Sequence, residues 1–170
     1  MLVRKIKMRR LRLILITVAA LVILVGFGAQ TAVELTPTST GKSYAPDNLL
    51  RLHVIANSNS LADQRLKRSI RDQIIQETEG LFNNLSSAQE AQQVIEDNLD
   101  YIRQVVKDKL VEQGRDYRVQ LKLGNFAFPK RTYGNLTLPA GNYQALRVIL
   151  GAGSGQNWWC VLFPPFCYID

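Results

Sequence analysis

Cys160, Cys167 and His53 are the side chains with most chemistry to offer, because the 170 residues contain two cysteines and one histidine in all. Cys160 with His53 as its base would make a nucleophilic pair. The segment Gln156-Asn157-Trp158-Trp159-Cys160 superficially resembles the nucleophile region of cysteine hydrolases. Such a thiol normally sits at a helix N-terminus or an exposed turn, where its pKa falls. Cys160 instead lies in the middle of an apolar run, so an exported cysteine-dependent hydrolase stands as the alternative reading. The two cysteines could equally form a disulfide, with Val-Leu-Phe-Pro-Pro-Phe reversing the chain between them, or remain as buried free thiols. One His and two Cys without Cys-x-x-Cys fall short of a structural zinc set. There is no phosphate loop or nucleotide fingerprint, so no metal or cofactor is expected.

The elements that must position these residues are legible from periodicity. Residues 157–163 read as a strand with Trp158, Cys160 and Leu162 on one face and Trp159, Val161 and Phe163 on the other. Both faces are apolar, so the strand needs two covers. Residues 49–56 read as the first strand, Leu50, Leu52, Val54 and Ala56 opposing Arg51, His53 and Ile55. A helix follows, capped by Ser60 with Asp63 in its first turn and carrying Leu66, Ile70 and Ile74 in a stripe to about Gly80. Lys67, Arg71, Asp63, Asp72, Glu96 and Asp97 are read as solvated charges. Ser87-Ala88-Gln89-Glu90 matches a capping box for a second, longer helix, ended by Gly114. Residues 117–123 and 143–150 alternate as strands, residues 124–141 read as an aromatic-bearing loop, and residues 151–155 read as a hairpin connection into the tryptophan strand. Asn84 and Asn135 fit glycosylation sequons, a pattern common by chance.

The expected fold is α+β: two helices packed on one face of a mainly antiparallel or mixed sheet of about four strands, in the order β-α-α-β-β-β. One tryptophan faces the helices. The other lies on the opposite face with Arg51, His53, Arg118, Lys122 and Arg147, an aromatic and basic interaction surface unless the aromatic loop folds over it.

The formal charge of +7 is concentrated at one end. Six of the 21 cations precede residue 13, leaving 15 against 14 acids beyond it. A phosphate-binding groove needs cations clustered within the fold, so no nucleic acid is expected. Residues 13–29 are charge-free and follow the basic cluster, as in a signal peptide or uncleaved membrane anchor over residues 1–30. Residues 31–48 read as a flexible linker and residues 49–170 as a single extracytoplasmic domain.

Leu50-Arg51-Leu52-His53-Val54-Ile55-Ala56-Asn57-Ser58, Tyr133-Gly134-Asn135-Leu136-Thr137-Leu138-Pro139-Ala140-Gly141 and Gly155-Gln156-Asn157-Trp158-Trp159-Cys160-Val161-Leu162-Phe163-Pro164-Pro165 occur in that order behind the export segment. Together they resemble the stage II sporulation protein R family of endospore-forming bacteria. The resemblance implies a signalling protein and not an enzyme. Such a protein is exported from the forespore into the space between the forespore and mother-cell membranes, or tethered to the forespore membrane. There it activates a membrane-embedded aspartic protease that processes a sigma-factor precursor. The resemblance brings no catalytic residues. The partner-binding candidates come from the residue patterns alone: Trp158, Trp159, His53, Arg51, Arg147, Tyr133 and Asn135.

Overall fold

The structure, a computed structural model, describes residues 44–167. The expected export segment and most of the linker lie outside the described residues. Among the described residues no helix is long and apolar enough to cross a membrane.

The central strand is β1, Leu50–Ile55, in which Leu50, Leu52 and Val54 are fully buried. It is followed by helices α1 (Leu61–Glu79), α2 (Ala88–Asp97) and α3 (Leu99–Glu112). Then come β2 (Val119–Phe128), the short strands β3 (Arg131–Tyr133) and β4 (Leu136–Leu138), β5 (Gly141–Leu150) and β6 (Asn157–Phe163). The main sheet runs β2-β5-β1-β6, and β3 and β4 form a separate two-stranded ribbon. β1 is parallel to β5 and antiparallel to β6, while β2 and β5 are antiparallel, so the sheet is mixed.

Alternation along the strands divides the sheet cleanly. Leu52, Val54, Leu146, Val148 and Leu150 meet the helices, where Ile70, Ile74, Ile95, Ile102 and Val106 are buried against them. The other face carries Arg51, His53, Lys122, Phe126, Phe128, Tyr143 and Arg147.

The helix ends follow their local chemistry. Ser60 Oγ accepts from the Asp63 N–H at 3.1 Å, and Ser87 Oγ from the Glu90 N–H at 3.2 Å. The Glu90 carboxylate closes back on Ser86, not Ser87. At the other end Gly114 takes φ +63, and the Arg115 N–H donates to the Leu110 carbonyl at 2.8 Å.

Four expectations need correction. The long second helix is two helices, broken at Asn98, which leaves the helical region at φ −108 and ψ 12. Its side-chain amide donates to the Val94 carbonyl at 2.8 Å, taking the acceptor its own N–H would use in a continuous helix. The apolar spacing continues across the break, so periodicity alone reads one helix. Secondly, residues 124–128 extend β2, and residues 131–138 form the β3–β4 ribbon where a loop was expected. Thirdly, residues 151–155 do not form a hairpin, because β5 and β6 are not neighbours. The connection steps over the end of β1. The Gly155 N–H donates to the Ala56 carbonyl at 3.0 Å and the Gln156 N–H to Asn59 Oδ1 at 2.7 Å. Glycine is required by this close approach, since a Cβ on Gly155 would lie 2.3 Å from the Ser58 carbonyl oxygen.

The fourth correction concerns charges read as solvated. Lys67 is buried and donates to Gln64 Oε1 at 2.7 Å and to the Gln156 carbonyl at 3.0 Å. The Arg71 guanidinium lies 3.9 Å from the Trp158 ring centroid. Asp63 is 3% exposed and accepts from Asn57, Ser58 and Tyr117. Asp72, Glu96 and Asp97 are exposed as expected. Packing also begins earlier than residue 49: Pro46–Asn48 forms a 3-10 turn, and Tyr44 sets its ring edge-on to Phe166 at 5.3 Å.

Candidate functional site

Strand register builds a row of four polar or aromatic side chains across the sheet face opposite the helices. Lys122 on β2 pairs with Arg147 on β5, Arg147 with His53 on β1, and His53 with Trp159 on β6. Directly paired residues project to the same face, so ammonium, guanidinium, imidazole and indole lie side by side. Arg147 Nε donates to His53 Nδ1 at 3.1 Å, and its guanidinium lies 3.8 Å from the Phe126 ring centroid. The imidazole stacks on Trp159 with centroids 3.7 Å apart and planes 16° from parallel.

That geometry assigns the tautomer of His53. Arginine can only donate, so Nδ1 is the acceptor and Nε2 carries the proton. Nε2–H then donates to Asn157 Oδ1 at 2.9 Å. The ring is 3% exposed. Burial is the main reason its pKa falls to about 4, and the Arg147 and Arg51 charges add to it while the Asn157 hydrogen bond opposes them. Because the folded value lies below the unfolded one, this contribution to stability is complete above about pH 6.5 and shrinks as pH falls towards 4. In urea titrations at stepped pH, wild type should lose stability over that window with a slope of at most about 1.4 kcal/mol per pH unit. His53→Gln should flatten the slope.

Beside the row Arg51 is enclosed completely, with 0% exposure. Its guanidinium lies 4.1 Å from the Phe128 centroid and 4.7 Å from that of Tyr143. Nη2 donates to the Tyr133 hydroxyl at 2.5 Å and Nε to the Cys160 carbonyl at 3.4 Å, while Nη1 has no hydrogen-bond partner among the described residues. The ion pairs among the described residues are Arg71 with Asp72, Arg103 with Asp100 and Lys109 with Glu112, so ring faces and neutral oxygens hold this cation. Burial lowers its pKa, against the Tyr133 hydroxyl, yet a guanidinium stays protonated. The Tyr133 hydroxyl in turn donates to the Trp159 carbonyl at 3.1 Å, tying the β3–β4 ribbon to β6.

Residues 46–170 match the family described as Stage II sporulation protein R. A Bacillus subtilis (strain 168) protein of that name is 41% identical over 125 residues, which cover 74% of this chain and 56% of the relative. The chain belongs to the stage II sporulation protein R family. It therefore spans little more than half the length of the curated relative it matches. No solved structure matches.

Within this member of the stage II sporulation protein R family, the expected site residues separate into layers. Arg51, His53 and Tyr133 are buried, not displayed at the surface, because Phe128 and the β3–β4 ribbon fold over that end of the face. Arg147 and Trp159 are half-buried and Lys122 and Asn135 exposed, so the cover is partial. Trp158 pairs with Val54 and belongs to the helix side, whereas Trp159 belongs to the row. A groove between the β3–β4 turn and β6 is lined by Arg131, Tyr133, Gly134, Asn157 and both tryptophans.

Phe126 and Phe128, read as part of the loop that could cover this face, are strand residues that with Tyr143, which the pattern reading missed, wall Arg51 and Arg147. The signal was a change of face along β2. Val119, Leu121 and Leu123 point to the helices; beyond Gly124 the apolar positions switch to Phe126 and Phe128 while Asn125 and Ala127 are exposed.

Cys160 and Cys167 form a disulfide with Cα atoms 5.1 Å apart, within the usual range. The alternative hydrolase reading loses its nucleophile, since the sulfur is bonded. Cys160 also pairs with Leu52, one register step from the His53 pair, so its side chain starts on the other face of the sheet. The Cys160→Ser/Cys167→Ser double variant should unfold about 2.5 kcal/mol more easily in urea, the loop-closure value for so short a ring.

Proposed function

We propose that this chain is an exported sporulation signal which activates a membrane-embedded aspartic protease of the mother cell, leading to processing of a sigma-factor precursor. It acts by contact and not as an enzyme, in the space between forespore and mother-cell membranes or tethered to the forespore membrane by its N-terminal segment. The observation that carries the reading is the family match over residues 46–170, the region that contains the row of Lys122, Arg147, His53 and Trp159.

An aspartic protease requires two aspartates brought together, and an activator shifts that equilibrium only by its differential affinity for the competent arrangement. An aromatic and basic face held rigid by cross-strand contacts supplies such affinity with little ordering cost on binding. A photo-crosslinking residue at position 159 in sporulating cells is expected to capture the protease, and one at position 101, on the exposed side of α3, is not. Folded, exported Trp159→Ala and Lys122→Glu variants that each retain full precursor processing would exclude this face from the signal.

A further inference from the structure

Acidic side chains are segregated between the two layers of this domain. From Tyr117 to Cys167 there is no aspartate or glutamate, whereas Arg118, Lys122, Lys130, Arg131 and Arg147 all fall in that stretch. The acids of residues 44–116 belong to the helices and their connections, apart from Asp47 in the turn before β1, with none in β1 itself. Among the described residues the sheet face opposite the helices therefore has no carboxylate of its own, and even buried Arg51 is held by rings, a hydroxyl and a carbonyl. Uncompensated cations beside an aromatic ring present a potential that an anionic surface complements.

We infer that the partner meets this face with an acidic, extended protein segment, its carboxylates set against Lys122, Arg147 and Arg131 and an apolar side chain against Trp159. This rests on the reading of the face as the docking surface and names the chemistry that docks there. From Lys122 to Trp159 the row crosses three interstrand spacings, about 14 Å, which about four extended residues span.

Two competing modes fit less well. Strand addition along the outer edge of β6 is obstructed, because the Trp159 carbonyl accepts from Tyr133 and the Val161 carbonyl from the Phe166 N–H at 3.1 Å. Recognition is left to side chains. A lipid surface would be gripped by protruding apolar side chains, but the large exposed ones among the described residues, Leu61, Tyr101 and Val111, are on the helices.

The test uses the full chain in neutral phosphatidylcholine bicelles, with tryptophan fluorescence following a ten-residue peptide that alternates Glu and Val. Wild type should bind it, with affinity falling as salt rises. The matched peptide with Gln for Glu should bind at least tenfold more weakly. Lys122→Glu/Arg131→Glu, both at exposed positions, should weaken the acidic peptide at least tenfold. Arg68→Glu/Lys107→Glu, an equal charge change on exposed helix positions, should stay within twofold. Far-UV circular dichroism would establish that both doubles are folded. No acidic-peptide binding, equal losses in the two doubles, or a fluorescence change produced only by phosphatidylglycerol in the bicelle would each overturn the inference. Precursor processing in cells is scored separately. Processing without acidic-peptide binding keeps the signalling role and removes the acidic partner. Acidic-peptide binding with processing unharmed in the Lys122→Glu/Arg131→Glu double removes this face from the signal.

Discussion

Arg51→Ala is expected to lower unfolding free energy by about 3 kcal/mol, as for deleting other large core side chains. The variant empties a fully buried site between Phe128, Tyr143 and Tyr133 and leaves the Tyr133 hydroxyl without its donor. The opposing term is relief of a buried cation whose Nη1 has no partner among the described residues. Arg51→Met separates the two, because it keeps most of the volume and removes the charge. If packing dominates, Arg51→Met should lie within about 1 kcal/mol of wild type in urea melts with an unchanged m-value. A methionine as damaging as alanine would mean that attraction between the guanidinium and the rings holds this end of the sheet together.

Asp63→Ala should cost at least about 3 kcal/mol, because hydrogen bonds to a charged acceptor are each worth about 1.5–3 and three are lost together. Asp63 accepts from Ser58 Oγ at 2.6 Å, from Asn57 Nδ2 at 2.9 Å and from the Tyr117 hydroxyl at 2.9 Å. The same Asn57 accepts from the Ala152 N–H through Oδ1, so the carboxylate joins the end of β1, the start of α1, the approach to β2 and the connection into β6. Burial alone would raise its pKa, but the hydrogen bonds from Ser58, Asn57 and Tyr117 outweigh that and hold it below the usual carboxylate value. With the folded value depressed, its stabilisation is present above about pH 4 and is lost as pH falls further. That window lies below the one set by His53. In urea melts at stepped pH, Asp63→Asn should therefore be less stable than wild type above about pH 4, with the gap narrowing as pH falls further, and a gap that does not change with pH would refute the assignment.

The elements that alternate or repeat against one partner layer were legible without coordinates. β1 and β6 lie where period two places them, and the split of the tryptophans follows from that alternation. Ser60 and Ser87 cap their helices because a serine oxygen matched an orphan N–H. Reading failed where one residue answers to two surroundings. β2 extends beyond the helix layer, so its apolar positions change sides at Gly124 and the pattern dissolves into an apparent loop. Asn98 breaks a helix with its side chain while the stripe continues past it. Whether Arg51 is displayed depended on where the aromatic loop goes, and nothing local decides that Phe128 and Tyr133, some 80 residues away, enclose it. The site was thus half visible: its residue types were apparent, but not which of them the ribbon covers.

The arrangement of β1 between β5 and β6 has a bearing on when this chain can become a protein at all. The first strand synthesised sits in the middle, and the pieces that flank it are made roughly 90 to 110 residues later. A nascent chain lacks both neighbours, so β1 stays unpaired until the C-terminal strands have been made. The C-terminal segment is thus the piece that completes the sheet, and a chain cut before β5 would leave its innermost strand with neither neighbour.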